Sequence, residues 1–168
     1  MKSILSFSLL LVVLLVQVVT AQQTFTRDQL DYSFELPSTV WRTISEPEGG
    51  REHPELVYGD RLDGYLTIRK EIVEAGTSAS DIAKRDADLT LRFLPGFIQG
   101  KEEPFKGRLE GVTLSYEFVR SGKPMLGRTY YLQVDNRTIY ALRFTGLKDK
   151  LSRIRNQSDL IARTFKIK

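Results

Sequence analysis

The chain has 168 residues, 25 of them basic and 21 acidic, with a formal charge of +4, one histidine and no cysteine. The missing cysteines exclude a disulfide framework, a thiolate nucleophile, a zinc knuckle, an iron–sulfur cluster and a lipid-bearing N-terminal cysteine, and one histidine excludes a metal site built on several. A hydrophobic fraction of 41% beside 27% charged residues belongs to a folded protein, not a disordered one.

Residues 1–21 carry one charge, Lys2, then an apolar run from Ile4 to Val19 interrupted by Ser6, Ser8 and Gln17, and end Val19-Thr20-Ala21. This pattern predicts a secretory signal peptide cleaved after Ala21, with no stable membrane insertion afterwards, because the run falls short of the roughly 20 residues that span a bilayer. The segment holds one of the 25 basic and none of the 21 acidic residues, so the remaining 147 residues carry +3. That charge is mild and alternates in sign along the chain, unlike the dense basic stripe of a nucleic-acid binder.

Residues 22–29 are polar and read as a flexible N-terminus, followed by one domain over 30–168. Leu30 to Leu36 alternates apolar and polar residues, the period of a half-buried strand, and Pro37 stops it. Trp41, the only tryptophan, is followed by a loop from Ser45 to Arg51 rich in Pro, Glu and Gly. Leu56 to Tyr58 reads as a short strand, Gly59 to Gly64 as a turn, and Tyr65 to Val73 as a longer strand with Leu66, Ile68 and Ile72 on one face. Ser78 and Asp81 have the spacing of a capping box. Beyond them Ala79, Ile82, Ala83, Leu89, Phe93 and Leu94 share one face of a helix that Pro95-Gly96 ends. Four strand-like runs follow, Phe97 to Phe105, Val112 to Val119, Arg128 to Val134 and Thr138 to Thr145. Short connections make them antiparallel neighbours. A second helix over Lys148 to Arg163 has the inward stripe Leu147, Leu151, Ile154, Ser158, Ile161 and Phe165. The fold class that results is α+β, a mostly antiparallel sheet with flanking helices in α/β/α layers.

This order is similar to the PsbP-like superfold, which includes the PsbP subunit of photosystem II, a Ran-binding import factor and envelope proteins of the DcrB type. The resemblance rests on Tyr32-Ser33-Phe34-Glu35-Leu36-Pro37 followed by Trp41, on the hairpin from Gly127 to Phe144, and on the ending from Leu160 to Ile167. It implies a binding or assembly module and transfers no site residue by residue.

Among individual side chains, His53 lies between glycines and Pro54 and reads as a surface histidine. Asp86 falls inside the apolar stripe of the first helix, where a lone carboxylate is costly, so a sheet arginine such as Arg69, Arg128 or Arg143 is its expected partner. Thr113, Ser115 and Glu117 share a polar character with Thr67, Arg69, Glu71 and with Thr129, Tyr131, Gln133, as if they formed one wetter sheet face. Whether Ile139, Ala141, Arg143 and Thr145 join that face is open at this stage. The candidate ligand or partner residues are therefore Asp86, Arg69, Arg143, Tyr131 and Glu117. No catalytic residue, metal ligand or cofactor is expected, and no P-loop, dinucleotide fingerprint or nucleophile elbow occurs. Asn136-Arg137-Thr138 and Asn156-Gln157-Ser158 are glycosylation sequons. The leading expectation is an exported, non-catalytic module, periplasmic or secreted, that engages a protein partner or envelope complex. The alternative is a small-molecule carrier or sensor with its ligand between the first helix and the sheet. A hydrolase using Asp86, Glu71 or Glu117 is more remote.

Overall fold

A computed structural model describes residues 23–50 and 52–168. The leader over 1–21 and its cleavage point lie outside the described residues. In chain order the elements are β1 (Gln23–Phe25), β2 (Tyr32–Leu36), β3 (Trp41–Ser45), β4 (Glu55–Tyr58), β5 (Asp60–Ile72), α1 (Ala79–Leu89), β6 (Ile98–Lys106), β7 (Glu110–Arg120), β8 (Lys123–Gln133), β9 (Thr138–Leu147), α2 (Lys148–Arg153), α3 (Arg155–Thr164) and β10 (Lys166–Ile167). Seven strands form one sheet in the order β3-β4-β5-β9-β8-β7-β6, and β1-β2-β10 form a smaller one. Every pairing is antiparallel. The meander β6 to β9 folds back across the sheet, so the last strand of the series, β9, docks against β5 and becomes central.

Register fixes which side chains share a face. Leu114 lies opposite Thr129, Thr129 opposite Arg143, and Arg143 opposite Thr67. One row over, Val112, Tyr131, Ala141 and Arg69 align in the same way. Because the side-chain period is two, this face carries Thr67, Arg69, Glu71, Thr129, Tyr131, Gln133 and Arg143 together with the apolar Leu114, Tyr116 and Phe118. It is covered by α1. The expected single polar face is thus corrected: Thr113, Ser115 and Glu117 point to the opposite side. That side packs Leu66, Tyr130, Leu142 and Phe144 against Tyr32 and Phe34 of the small sheet, against Leu151 and Ile161 of the C-terminal helices and against Phe165 just after them. Each face has its own buried cluster, and the α1 side holds Ile82, Ala83, Leu91, Tyr116 and Phe118.

Several sequence expectations shift for local reasons. Part of the stretch read as flexible is ordered, since Gln23–Phe25 pairs with β2 and buries Phe25 against Phe34, ring centroids 4.7 Å apart. Trp41 to Ser45 is a strand whose outer position leaves it little apolar pattern to read. The turn expected from Gly59 to Gly64 is compressed to Gly59, at φ +68°, and Asp60 already begins β5. Ile72, expected inside, is 70% exposed at the end of β5. The capping box of α1 forms: Ser78 Oγ accepts from the Asp81 N–H at 3.2 Å and Asp81 Oδ2 accepts from the Ser78 N–H at 2.9 Å. The helix ends at Leu89 and tightens into a 3-10 turn over Leu91–Phe93, so the 100° spacing fails past Thr90. Leu91 takes the inward place and Phe93 points out, while Leu89, in phase with Ile82 in the last turn of α1, is left uncovered. The second helix is broken at Ile154 into α2 and α3, yet Leu151, Ile154, Ser158, Ile161 and Phe165 all stay buried.

The open edge strand β6 is exposed along nearly its whole length. Lys101, Glu102, Glu103 and Pro104, with a register shift between Gln99 and Glu102, blunt it against strand addition.

Candidate functional site

The capping box sets the rotational phase of α1, and that phase places Asp86 on the buried side with Ala79, Ile82, Ala83 and Ala87. Asp86 is only 4% exposed. Directly beneath lies the row Tyr131, Ala141 and Arg69. The small Ala141 between two long side chains leaves room for the descending carboxylate. Asp86 Oδ2 accepts from Arg69 Nη2 at 2.7 Å, from Tyr131 Oη at 3.0 Å and from Arg143 Nη2 at 3.2 Å. Arg69 also pairs with Glu71, and Glu71 with Arg85 on α1. The chain Arg143–Asp86–Arg69–Glu71–Arg85 therefore holds three cations and two anions.

Burial raises the Tyr131 hydroxyl, and the adjacent Asp86 carboxylate raises it further, so the phenol stays protonated and donates. Burial alone would lower the Arg69 guanidinium, but Asp86 and then Glu71 outweigh it and hold Arg69 charged. Arg69 and Arg143 line a pocket of about 290 Å³ with Thr67, Ile68 and Ala141.

Of the five residues singled out by sequence, four meet here: Asp86, Arg69, Arg143 and Tyr131. Glu117 does not, because it projects from the other face of β7 and pairs with Lys148 Nζ at 2.7 Å. Arg128, a third possible partner for Asp86, is also on that other face. Its Nε donates to Tyr130 Oη at 2.8 Å and its Nη2 lies 3.5 Å from Asp159. Arg85 was not singled out by sequence. Its place on the solvent-facing side of α1 gave no signal, since only the position of β5 brings Glu71 within reach.

A second polar cluster joins the two sheets. Asp31 Oδ1 accepts from Tyr140 Oη at 2.6 Å and Oδ2 from Lys70 Nζ at 2.5 Å. Beside it, Tyr32 Oη lies 3.3 Å from His53 Nδ1, and the imidazole packs 5.7 Å from the Tyr32 ring and 6.0 Å from the Tyr140 ring. His53 is thus half-buried, which corrects the surface reading. Its loop folds back because Tyr32 and Tyr140 offer an aromatic wall. Among the described residues no group of three or more His, Asp or Glu is placed to hold a metal ion. Asp86 and Glu71 are bound by arginines, and Glu117 is on the far side of the sheet, so these three carboxylates do not form an acid–base pair.

With this geometry in view, the comparisons with known proteins divide sharply. No family model matches the chain, and no curated protein matches its sequence. Solved structures do match. LpqN of Mycobacterium tuberculosis, described as involved in cell envelope biogenesis, is similar at 16% identity over 87% of this chain and 84% of that one, TM-score 0.59. The cyanobacterial PsbP of Synechocystis sp. PCC 6803 is similar at 13% identity over 89% and 94%, TM-score 0.57. PA94 of Pseudomonas aeruginosa, described as a protein of unknown function and putative regulator, is similar at 14% identity over 85% and 94%, TM-score 0.53. The chain has the PsbP-like α+β fold. At these identities the likeness concerns the fold alone.

Proposed function

We propose that the protein is an exported, non-catalytic binding module that docks on a protein of the cell envelope. The observation that carries this reading is the connection from α1 to β6. Leu89, Phe93 and Ile98 are 68%, 74% and 62% exposed there, and Val119, whose N–H donates to the Pro95 carbonyl at 2.7 Å, borders it. Scattered exposed apolar residues are ordinary, but several large ones on one short connection mark an interaction surface. Arg92 over the Phe93 ring and Arg120 over the Phe118 ring flank it with positive charge. Aromatic and arginine side chains together are the usual composition of an interface hot spot, and the flanking charge fits a partner with an apolar contact ringed by acidic residues. The involvement of LpqN in cell envelope biogenesis is compatible with this reading, as is the leader expected at residues 1–21. Among the described residues no helix is long and apolar enough to cross a membrane.

A photo-crosslinking residue at Phe93 in intact cells tests the reading. One dominant adduct is expected from position 93 and not from the exposed Lys84. With the purified partner, Leu89→Asp should weaken binding by about tenfold or more, as at an apolar hot spot, and added salt should weaken it further. Identical crosslinks from both positions, or unchanged affinity in Leu89→Asp, would reject it.

A further inference from the structure

The Asp86 cluster holds more positive charge and more donors than its own carboxylates use. Arg69 and Arg143 converge on one oxygen, Asp86 Oδ2, each through a single Nη2. Among the described residues Arg143 makes no other hydrogen bond, and the side chains of Arg143 and Arg69 keep 25% and 42% of their surface accessible. Two planar donor forks beside a pocket of about 290 Å³ form a receptor for a planar anion. The cluster has one cation in excess, which suits a monoanion. Thr67 and Ala141 line the same space with small side chains, which leaves room for a short apolar tail.

We infer that the pocket on β5 and β9 binds a small organic carboxylate, its head held by Arg69 and Arg143 and its tail against Thr67 and Ala141. The inference is independent of the protein-docking surface, which lies at the α1–β6 connection and uses none of these residues. Asp86, reaching down from α1, and Tyr131 on β8 act as positioning residues that hold the arginines in place.

The test is a titration of arginine-labelled purified protein with sodium butyrate, followed through the arginine Nε–Hε resonances. Saturable shifts of the Arg69 and Arg143 signals are expected, and Arg143→Gln should weaken butyrate by about tenfold or more, the usual loss when a charge-assisted donor is removed. Thr67→Phe keeps both arginines and fills the pocket. It should abolish binding in a protein that melts like the parent, which keeps the test informative if Arg143→Gln folds poorly. Arg153→Gln, a change at an exposed arginine on α2, should leave butyrate binding unchanged. Absence of a saturable shift, or full binding by Thr67→Phe, overturns the site, and inorganic phosphate binding more tightly than butyrate overturns the carboxylate assignment.

Discussion

At the scale of single residues, His53 is the side chain whose environment changes most between a string of letters and a folded protein. Burial against Tyr32 and Tyr140 lowers its pKa, and the nearby carboxylates of Glu52 and Asp31 push it back only in part. The unfolded chain then takes up a proton at a higher pH than the folded one, so stability is lost as pH falls below the ordinary histidine value of about 6.5. Asp31 acts in a separate, more acidic window. Burial would raise it, but hydrogen bonds from Lys70 and Tyr140 leave it lowered, so its contribution is kept above the ordinary aspartate value of about 3.9 and lost below it. Of these two effects, only that of the histidine operates between about pH 7 and pH 5. The thermal midpoint of the parent should therefore fall further over that interval than that of His53→Gln. Equal slopes for the two proteins would show that the imidazole is not held neutral.

At the scale of elements, α1 is seated by polarity as much as by packing. Its inward residues besides Asp86 are small, Ala79, Ala83 and Ala87, with Ile82 the only large one. Such a stripe gives modest hydrophobic stabilisation, and the Asp86 anchor supplies the rest of the orientation. Asp86→Ala removes the shared acceptor of Arg69, Arg143 and Tyr131 and leaves a buried phenol and two guanidiniums competing for water. The cost is about 2–3 kcal/mol, below the range for fully buried pairs because Arg69 is partly solvated. A urea titration measures it. Combining Asp86→Ala with Arg69→Ala should cost less than the sum of the two, because Arg69 is no longer stranded. Strict additivity would mean that the pair is not coupled. Asp86 and its arginines were legible in the sequence, because a carboxylate in an apolar helical stripe demands a cation and the alternation of β5 and β9 offers one. Two features were not legible. The helix end at Leu89 depends on a switch to 3-10 geometry that leaves no periodic trace, and the assignment of Thr113, Ser115 and Glu117 to a face depends on register across β7 and β8. Alternation within one strand says which residues share a side, but not which side of the neighbour they join.

At the scale of the whole molecule, one sheet serves two cores. β8 gives Tyr130 and Leu132 to the cluster beneath the small sheet and Tyr131 to the cluster beneath α1, and β9 divides Leu142 and Phe144 from Ile139 and Ala141 in the same way. Neither core can dissolve without freeing strands that the other needs, so the described domain should unfold as one cooperative unit. Trp41 gives this a direct readout. It lies on the face away from α1, its Nε1 donates to Gln157 Oε1 at 3.0 Å, and its ring meets Phe144 edge-on at 6.0 Å. Under urea, tryptophan fluorescence and far-ultraviolet circular dichroism should give one coincident transition. The sharper prediction concerns Asp86→Ala, a change made under α1. It should lower the urea midpoint reported by Trp41, across the sheet, as much as the midpoint reported by circular dichroism. A Trp41 midpoint that stays at the parent value while the helical signal is lost earlier would mean that α1 is a separately melting lid and that the two faces are energetically independent.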